Sequence, residues 1–490
     1  MLNADLPKEL KNDANEPATS ADTSAGTFSL NGLRTQIDRI SDSTLSPLDL
    51  LGRGGLSKTV ASFSRPKGAN LIGRTDPFGQ WISDRARHDA YQYTRTLHGT
   101  PVPVMTITTE QGRANEGINF ASQDYLSLCS HPEISEVAIK ALQEYGPHSA
   151  GTSMLLGNTP LSIALEEEIS DFVKMKHVML FPTGWGAGFG TVVGLVRAKD
   201  YILMDEFAHA CLRQGAYAAT PNVKIHKHLN WEMVREQLKE IRSQDADHGI
   251  LVITEGLFSM DTDSPNLRKL QEVCREYNAT LLVDVAHDLG PMGPEGASQI
   301  AAQGMLGEVD LVMGAFSKSF ASNGGFLATN SSSVRNFLKW NGGPHIFSNS
   351  LSPVQCAVIR KSIQIIRSSE GDELRRRSSE VVNALRTELT SYGLPVIGDP
   401  SPIVPILVGA EKLTRVATTL CFRRNVFVNP VEFPAVNIRA SRFRLQVMAN
   451  HTVEQARTSA RIIHECIEEA KTLLSDLEKV TPIVESQMTH

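Results

Sequence analysis

No stretch of this 490-residue sequence approaches the roughly 20 consecutive apolar residues of a bilayer-spanning helix, so no transmembrane segment is expected. Its first residues carry neither the basic nor the apolar region of a secretory leader, and the cytoplasm is the expected compartment. The six cysteines, Cys129, Cys211, Cys274, Cys356, Cys421 and Cys466, form no C-x-x-C pair and no Cys/His cluster at metal-ligand spacing. That argues against a metal site and for free thiols. Basic residues nowhere concentrate: 48 stand against 54 acidic ones, the net charge is −6, and nucleic acid is not an expected partner. The dinucleotide fingerprint G-x-G-x-x-G and the Walker lysine are both missing, which disfavours nicotinamide-dependent and P-loop chemistry.

What is present is an ordinary globular composition, 41% apolar and 21% charged, in a chain too long for one core. Residues 1–80 are rich in Ser, Thr, Asn, Asp, Gly and Pro. They read as a partly disordered N-terminal extension with one amphipathic stretch from Leu30 to Ile40. From about residue 115 short apolar runs alternate with amphipathic segments, the pattern of a parallel sheet covered by helices. The candidate strands are Val178 to Phe181, Tyr201 to Met204, Ile250 to Thr254, Thr280 to Val283 and Leu311 to Met313. Trp231 to Ile241 and Asn266 to Tyr277 have helical periodicity, as does the long stretch from Ser352 to Tyr392. The expected fold is a three-layer α/β/α large domain, 81–355, whose first part to about 115 is an arm. A smaller C-terminal α+β domain, 356–478, follows, with strands at 403–408, 426–428 and 443–447 and a helix from Val453 to Leu477. Residues 479–490 form a tail.

In an open α/β sheet, ligands bind where strands end at their carboxyl edges. Four such places carry reactive residues. In T-L-L-V-D-V-A-H-D a buried-looking strand runs into Asp284 and then His287. A carboxylate there needs a cationic partner, which a protonated pyridine nitrogen would supply, with His287 near the ring's phenolic oxygen. In G-A-F-S-K-S-F, Lys318 lies among small and hydroxyl residues. A desolvated lysine has a depressed pKa and forms imines with aldehydes, and the hydroxyls of Ser317 and Ser319 suit a phosphate ester. In F-P-T-G-W-G-A-G-F-G a strand enters a helix through Thr183, Gly184 and Trp185, whose backbone N–H groups would cradle a phosphate. In L-M-D-E-F-A-H-A-C, His209 follows a strand end by a few residues and could stack on a planar ring. Each alone has an ordinary explanation, such as a capping Asp, a solvated loop lysine, a common glycine turn or a surface histidine. Their occurrence in one βα series argues for a single site.

On these residues the sequence resembles the α-oxoamine synthases, fold-type I pyridoxal-phosphate enzymes, from about Phe120 in F-A-S-Q-D-Y-L-S-L to about Thr452. T-E-G-L-F-S-M-D-T-D at 254–263 and the block around Lys318 carry the likeness. V-F-V-N-P-V-E-F-P-A-V with R-F-R-L-Q-V-M-A-N-H-T is similar to the serine palmitoyltransferase branch. The resemblance implies Lys318 as the Schiff-base lysine, Asp284 at the ring nitrogen and His209 on the ring face. It implies Ser259 and His287 near the phenolic oxygen, and Thr183, Gly184, Trp185 and Ser317 at the phosphate, with Ser348 reaching it from the second subunit of a homodimer. Arg444 would clamp the substrate carboxylate, with Arg442 as the fallback, and Tyr125 would bind the substrate. The implied reaction is a decarboxylative condensation of a small amino acid, serine before alanine or glycine, with an acyl thioester of coenzyme A or a carrier protein. Departures from the family pattern stand at Gln123, Asp288, Ala315 and Asn429. An aminotransferase or aldolase-type lyase shares the lysine and aspartate. A non-catalytic subunit of a heteromeric palmitoyltransferase would share the fold, but it would not need Lys318, Asp284 and His209 together.

Overall fold

A computed structural model describes residues 56, 58–88 and 90–487. The predicted amphipathic stretch at Leu30 to Ile40, like most of the extension, lies outside the described residues. After a helix at Asp76–Arg87, strands β1 (Thr96–His98), β2 (Val104–Thr108) and β3 (Ala114–Asn119) form an antiparallel ribbon.

The main sheet comprises β4 (His177–Phe181), β5 (Tyr201–Asp205), β6 (Val223–His226), β7 (Ile250–Glu255), β8 (Thr280–Asp284), β9 (Leu311–Ala315) and β10 (Gly325–Thr329). Its order is β4-β10-β9-β8-β7-β5-β6, parallel throughout except where β10 meets β4 and β9. Every residue of β7 is buried. Alternate side chains serve opposite cores: Val252 packs with Val234 and Leu238 of helix Trp231–Gln244, whereas Leu251 and Ile253 pack with Leu212 of helix Ala210–Ala219. A strand apolar on both faces is what helices on both sides require, and the three-layer α/β/α expectation holds. The five predicted strands are β4, β5, β7, β8 and β9. β6 was not predicted because V-K-I-H is short and only its His226 is buried, and β10 because it is an antiparallel insertion announced by two glycines rather than by a longer apolar run.

The chain continues with helices Pro353–Ile366 and Ser369–Ser391 in place of one long helix. The break falls where the Ser368 side chain accepts the Glu370 N–H and caps the second helix. Then come β11 (Ile403–Gly409), β12 (Val426–Phe427), β13 (Asn429–Val431) and β14 (Ser441–Gln446), ending in helix Val453–Gln487. β12 pairs in parallel with β3, and the other three form a separate sheet in the order β11-β14-β13. No described helix is long and apolar enough to cross a membrane.

The described end of the N-terminal extension is folded onto this C-terminal region. Arg415, buried, pairs with Glu432 at 2.7 Å and Glu411 at 3.0 Å. Its guanidinium also donates to the carbonyls of Leu56 and Lys58, at 2.9 and 2.8 Å, and sits 5.6 Å from the ring of Trp81. Phe63 and Phe78 pack around the same indole, 5.1 and 5.7 Å away. Truncating the arginine would strand two buried carboxylates and two carbonyls. Arg415→Ala is expected to cost about 3–5 kcal/mol in urea unfolding, with residues 58–63 becoming sensitive to protease before the main sheet does.

A candidate active site at the strand ends

Because β5, β7, β8 and β9 run parallel, their carboxyl ends share one edge of the sheet, and there a cavity of about 250 Å³ opens. Eight predicted residues line it: Thr183, Gly184, Trp185, His209, Asp284, His287, Ser317 and Lys318. Ser319, the next residue after Lys318 in the turn beyond β9, is buried and does not line the cavity, so only one of the two flanking hydroxyls faces in.

Each wall has a local cause. β8 ends at Asp284, whose Oδ1 accepts the Ala286 N–H at 2.9 Å. Burial raises its pKa, and His209 and Lys318 pull it back down. Burial holds the Lys318 ammonium below the ordinary lysine value, with Asp284 opposing and Arg444 reinforcing the shift. His209 is the N-cap of helix Ala210–Ala219, and its Nδ1 accepts the Cys211 N–H at 3.3 Å. A ring nitrogen that accepts carries no proton, so the neutral imidazole is protonated at Nε2. Burial lowers the pKa of His209 and, more strongly, that of His287, which stays neutral with Nδ1 3.0 Å from the Tyr125 hydroxyl. Tyr125 itself is fully buried and does not line the cavity.

Thr183 caps helix Gly184–Leu195 through the Gly186 N–H at 2.9 Å, leaving the first helical N–H groups without partners in the turn. A Cβ on Gly184 would lie 2.4 Å from that of Ala315, so only glycine brings the backbone this close. The other arginine positions also separate here. Arg442 is spent on Asp261 and the Met260 carbonyl. Arg444 is buried, has no carboxylate partner among the described residues and leaves its Nε unbonded, close enough to Lys318, His209 and His287 to depress all three. The donor set fits pyridoxal phosphate: helix N–H groups and Ser317 for a phosphate, Asp284 for a ring nitrogen, Lys318 for an aldehyde and a free guanidinium for a carboxylate.

Arg444, Ser259 and Ser348 do not line the cavity: Arg444 is buried beside it, and Ser259 lies in the loop that follows Glu255. Glu255, Cys211 and Asn323 line it and were not singled out. Glu255 ends an apolar strand as Asp284 does, and that signal could have found it. Its Oε1 accepts the His209 N–H at 2.6 Å, and burial beside Asp284 raises its pKa well above the ordinary value. Of the departures, Ala315 borders the cavity and Gln123 is exposed. Asp288 is sealed behind Gly256 with burial raising its pKa to about 7, and Asn429 is held between Ala121 and Arg95.

The aminotransferase class I and II family description matches residues 115–463. A serine palmitoyltransferase of Sphingobacterium spiritivorum is 36% identical over 69% of this chain and 83% of its own. An 8-amino-7-oxononanoate synthase of Alkaliphilus oremlandii is 31% identical over 69% of this chain and 84% of its own. A solved serine palmitoyltransferase variant from S. paucimobilis with a bound PLP–myriocin aldimine shares the fold with a TM-score of 0.76 at 23% identity, covering 82% of this chain and all of that one. The tight approach at the helix start gives a direct check: Gly184→Ala is expected to weaken binding of pyridoxal phosphate by more than about tenfold, read by quenching of tryptophan fluorescence, with the unfolding transition retained.

Proposed function

The chain belongs to the aminotransferase class I and II family and, within it, to the α-oxoamine synthases, and from that membership we propose that it condenses serine with a long-chain acyl thioester, releasing carbon dioxide and free thiol. The observation that carries this reading is Arg444. A buried cation without a carboxylate partner among the described residues, beside a desolvated lysine, is a seat for the carboxylate of an amino acid. Serine is preferred because the likeness to serine palmitoyltransferase is the stronger one, and the thioester is presented by coenzyme A or a carrier protein.

Pyridoxal phosphate, when bound, supplies an aldehyde for the amine and a ring that draws electron density from the α-carbon. Lys318 holds the aldehyde in the resting enzyme. Asp284 keeps the ring nitrogen protonated, and His287 and Ser259 serve the phenolic oxygen. Thr183, Gly184, Trp185 and Ser317 take the phosphate. Arg444 orients the amino acid, Lys318 Nζ takes its α-proton and returns one at the end, and His209 Nε2–H donates to the thioester carbonyl as negative charge develops there. Tyr125 acts through His287. The enzyme works in the cytoplasm as a homodimer, with Ser348 reaching the phosphate of the second subunit. Leu155, Leu156 and Phe347, each more than four-fifths exposed, mark the face that the second copy covers.

Serine plus palmitoyl-CoA should yield carbon dioxide and free coenzyme A thiol in equal amounts, and borohydride should fix pyridoxal phosphate to the peptide containing Lys318. Arg444→Ala should raise KM for serine about 100-fold, the scale of a lost charge-assisted pair. Production of a keto acid without carbon dioxide or thiol would instead identify an aminotransferase.

A further inference from the structure

Outside the cavity, one histidine joins the turn that carries His209 into it to the turn that carries Ser259. The ring of His228, beyond β6, stands between two carboxylates: Nδ1 is 2.8 Å from Asp205 Oδ1, and Nε2 is 3.0 Å from both oxygens of Asp263. With a carboxylate at each nitrogen, both nitrogens donate, and the group is an imidazolium. Phe207 and Phe258 flank it with ring centroids 4.6 and 4.5 Å away. Burial disfavours the charge, but the two carboxylates prevail and raise the pKa to about 10.

The two acids belong to different turns. Asp205 closes the turn leading to His209, accepting the Phe207 N–H at 2.9 Å through its side chain and the Ala208 N–H at 3.1 Å through its carbonyl. Asp263 closes the turn carrying Ser259: its carbonyl accepts the Phe258 N–H at 3.0 Å, and Thr262 donates back to Phe258 at 2.9 Å. Both turns emerge from strands of the main sheet, β5 and β7, whose pairing ends before the functional side chains begin. Beyond that pairing, His228 supplies a charged tie between them.

We propose that His228 is a positioning residue for the condensation, an imidazolium that sets the His209 turn against the Ser259 turn by holding Asp205 and Asp263 together. It touches neither cofactor nor substrate. The proposal rests on the roles given above to His209 and Ser259. The other titratable groups around it are Glu206, which accepts the His228 backbone N–H, Lys227, which pairs with Glu206 at 3.4 Å, and His226, 4.0 Å from Asp205.

The sign of its pH dependence follows from the raised pKa. The tie contributes fully below the ordinary histidine value of 6.5 and is lost as pH climbs through about 10. The test compares wild-type holoenzyme with His228→Gln and with the milder Asp263→Asn. His228→Gln should lower kcat about tenfold or more while KM for serine, set by Arg444, stays within about threefold, and should speed cofactor dissociation about fivefold. Asp263→Asn should move each quantity in the same direction by less. The wild-type melting temperature should fall reversibly between pH 7 and 10.5, and this fall should be much smaller in His228→Gln. Wild-type kcat and cofactor dissociation in both variants, or an unchanged alkaline fall in His228→Gln, would overturn the proposal. If His228→Gln does not fold, Asp263→Asn decides by the same measures. A wild-type enzyme that binds cofactor but condenses nothing would sink the proposed reaction, and the tie would then stand or fall on the dissociation rate and the alkaline melt.

Discussion

An amine and a carboxylate held together out of water are the constraint around which this structure is arranged. Lys318 and Asp284 follow the ends of adjacent strands, β9 and β8, and two apolar layers exclude solvent beneath them. Desolvation favours the neutral form of each, while their mutual attraction favours the charged form, so both remain responsive to whatever binds between them. Glu255 lies directly across the β7/β8 pairing from Asp284. Burial, and then the charge of Asp284, raise the pKa of Glu255 well above the ordinary carboxylate value.

Placement of cations follows a similar economy. Arg442 and Arg444 are two residues apart on β14, so strand geometry sends both side chains to one face. Their surroundings separate them. Arg442 meets Asp261 and becomes structural, fastening the loop that carries Ser259, while Arg444 has no carboxylate partner among the described residues and acts on the imidazoles of His209 and His287, the Tyr125 phenol and the Lys318 amine.

Much of this was legible in the sequence because parallel strands are apolar along their whole length. Where such a run stops, the next polar residue stands at the sheet edge, which is why Asp284, His209 and Lys318 could be picked out before any coordinates. The same logic covers Glu255, which directly follows the predicted strand Ile250 to Thr254. Other features depend on contacts distant in sequence: Tyr125 against His287 is 162 residues apart, and no local pattern encodes that hydrogen bond. The facing of Ser317 and not Ser319, the interruption at Ser368 and the short strands β6 and β10 turn on one-residue geometry that composition does not resolve.

The solvent-free seat of Arg415 carries a consequence for biosynthesis. Residues 56 and 58 find their partner 359 and 357 positions later. At about 5–20 residues per second, a nascent chain emerging from the ribosome waits roughly 20–70 seconds before that guanidinium exists. Arg85, which stands 4.8 Å over the Trp81 ring, is made early, but Arg415 on the same indole is not yet there. The bonds of residues 56 and 58 to Arg415 are therefore among the last to form.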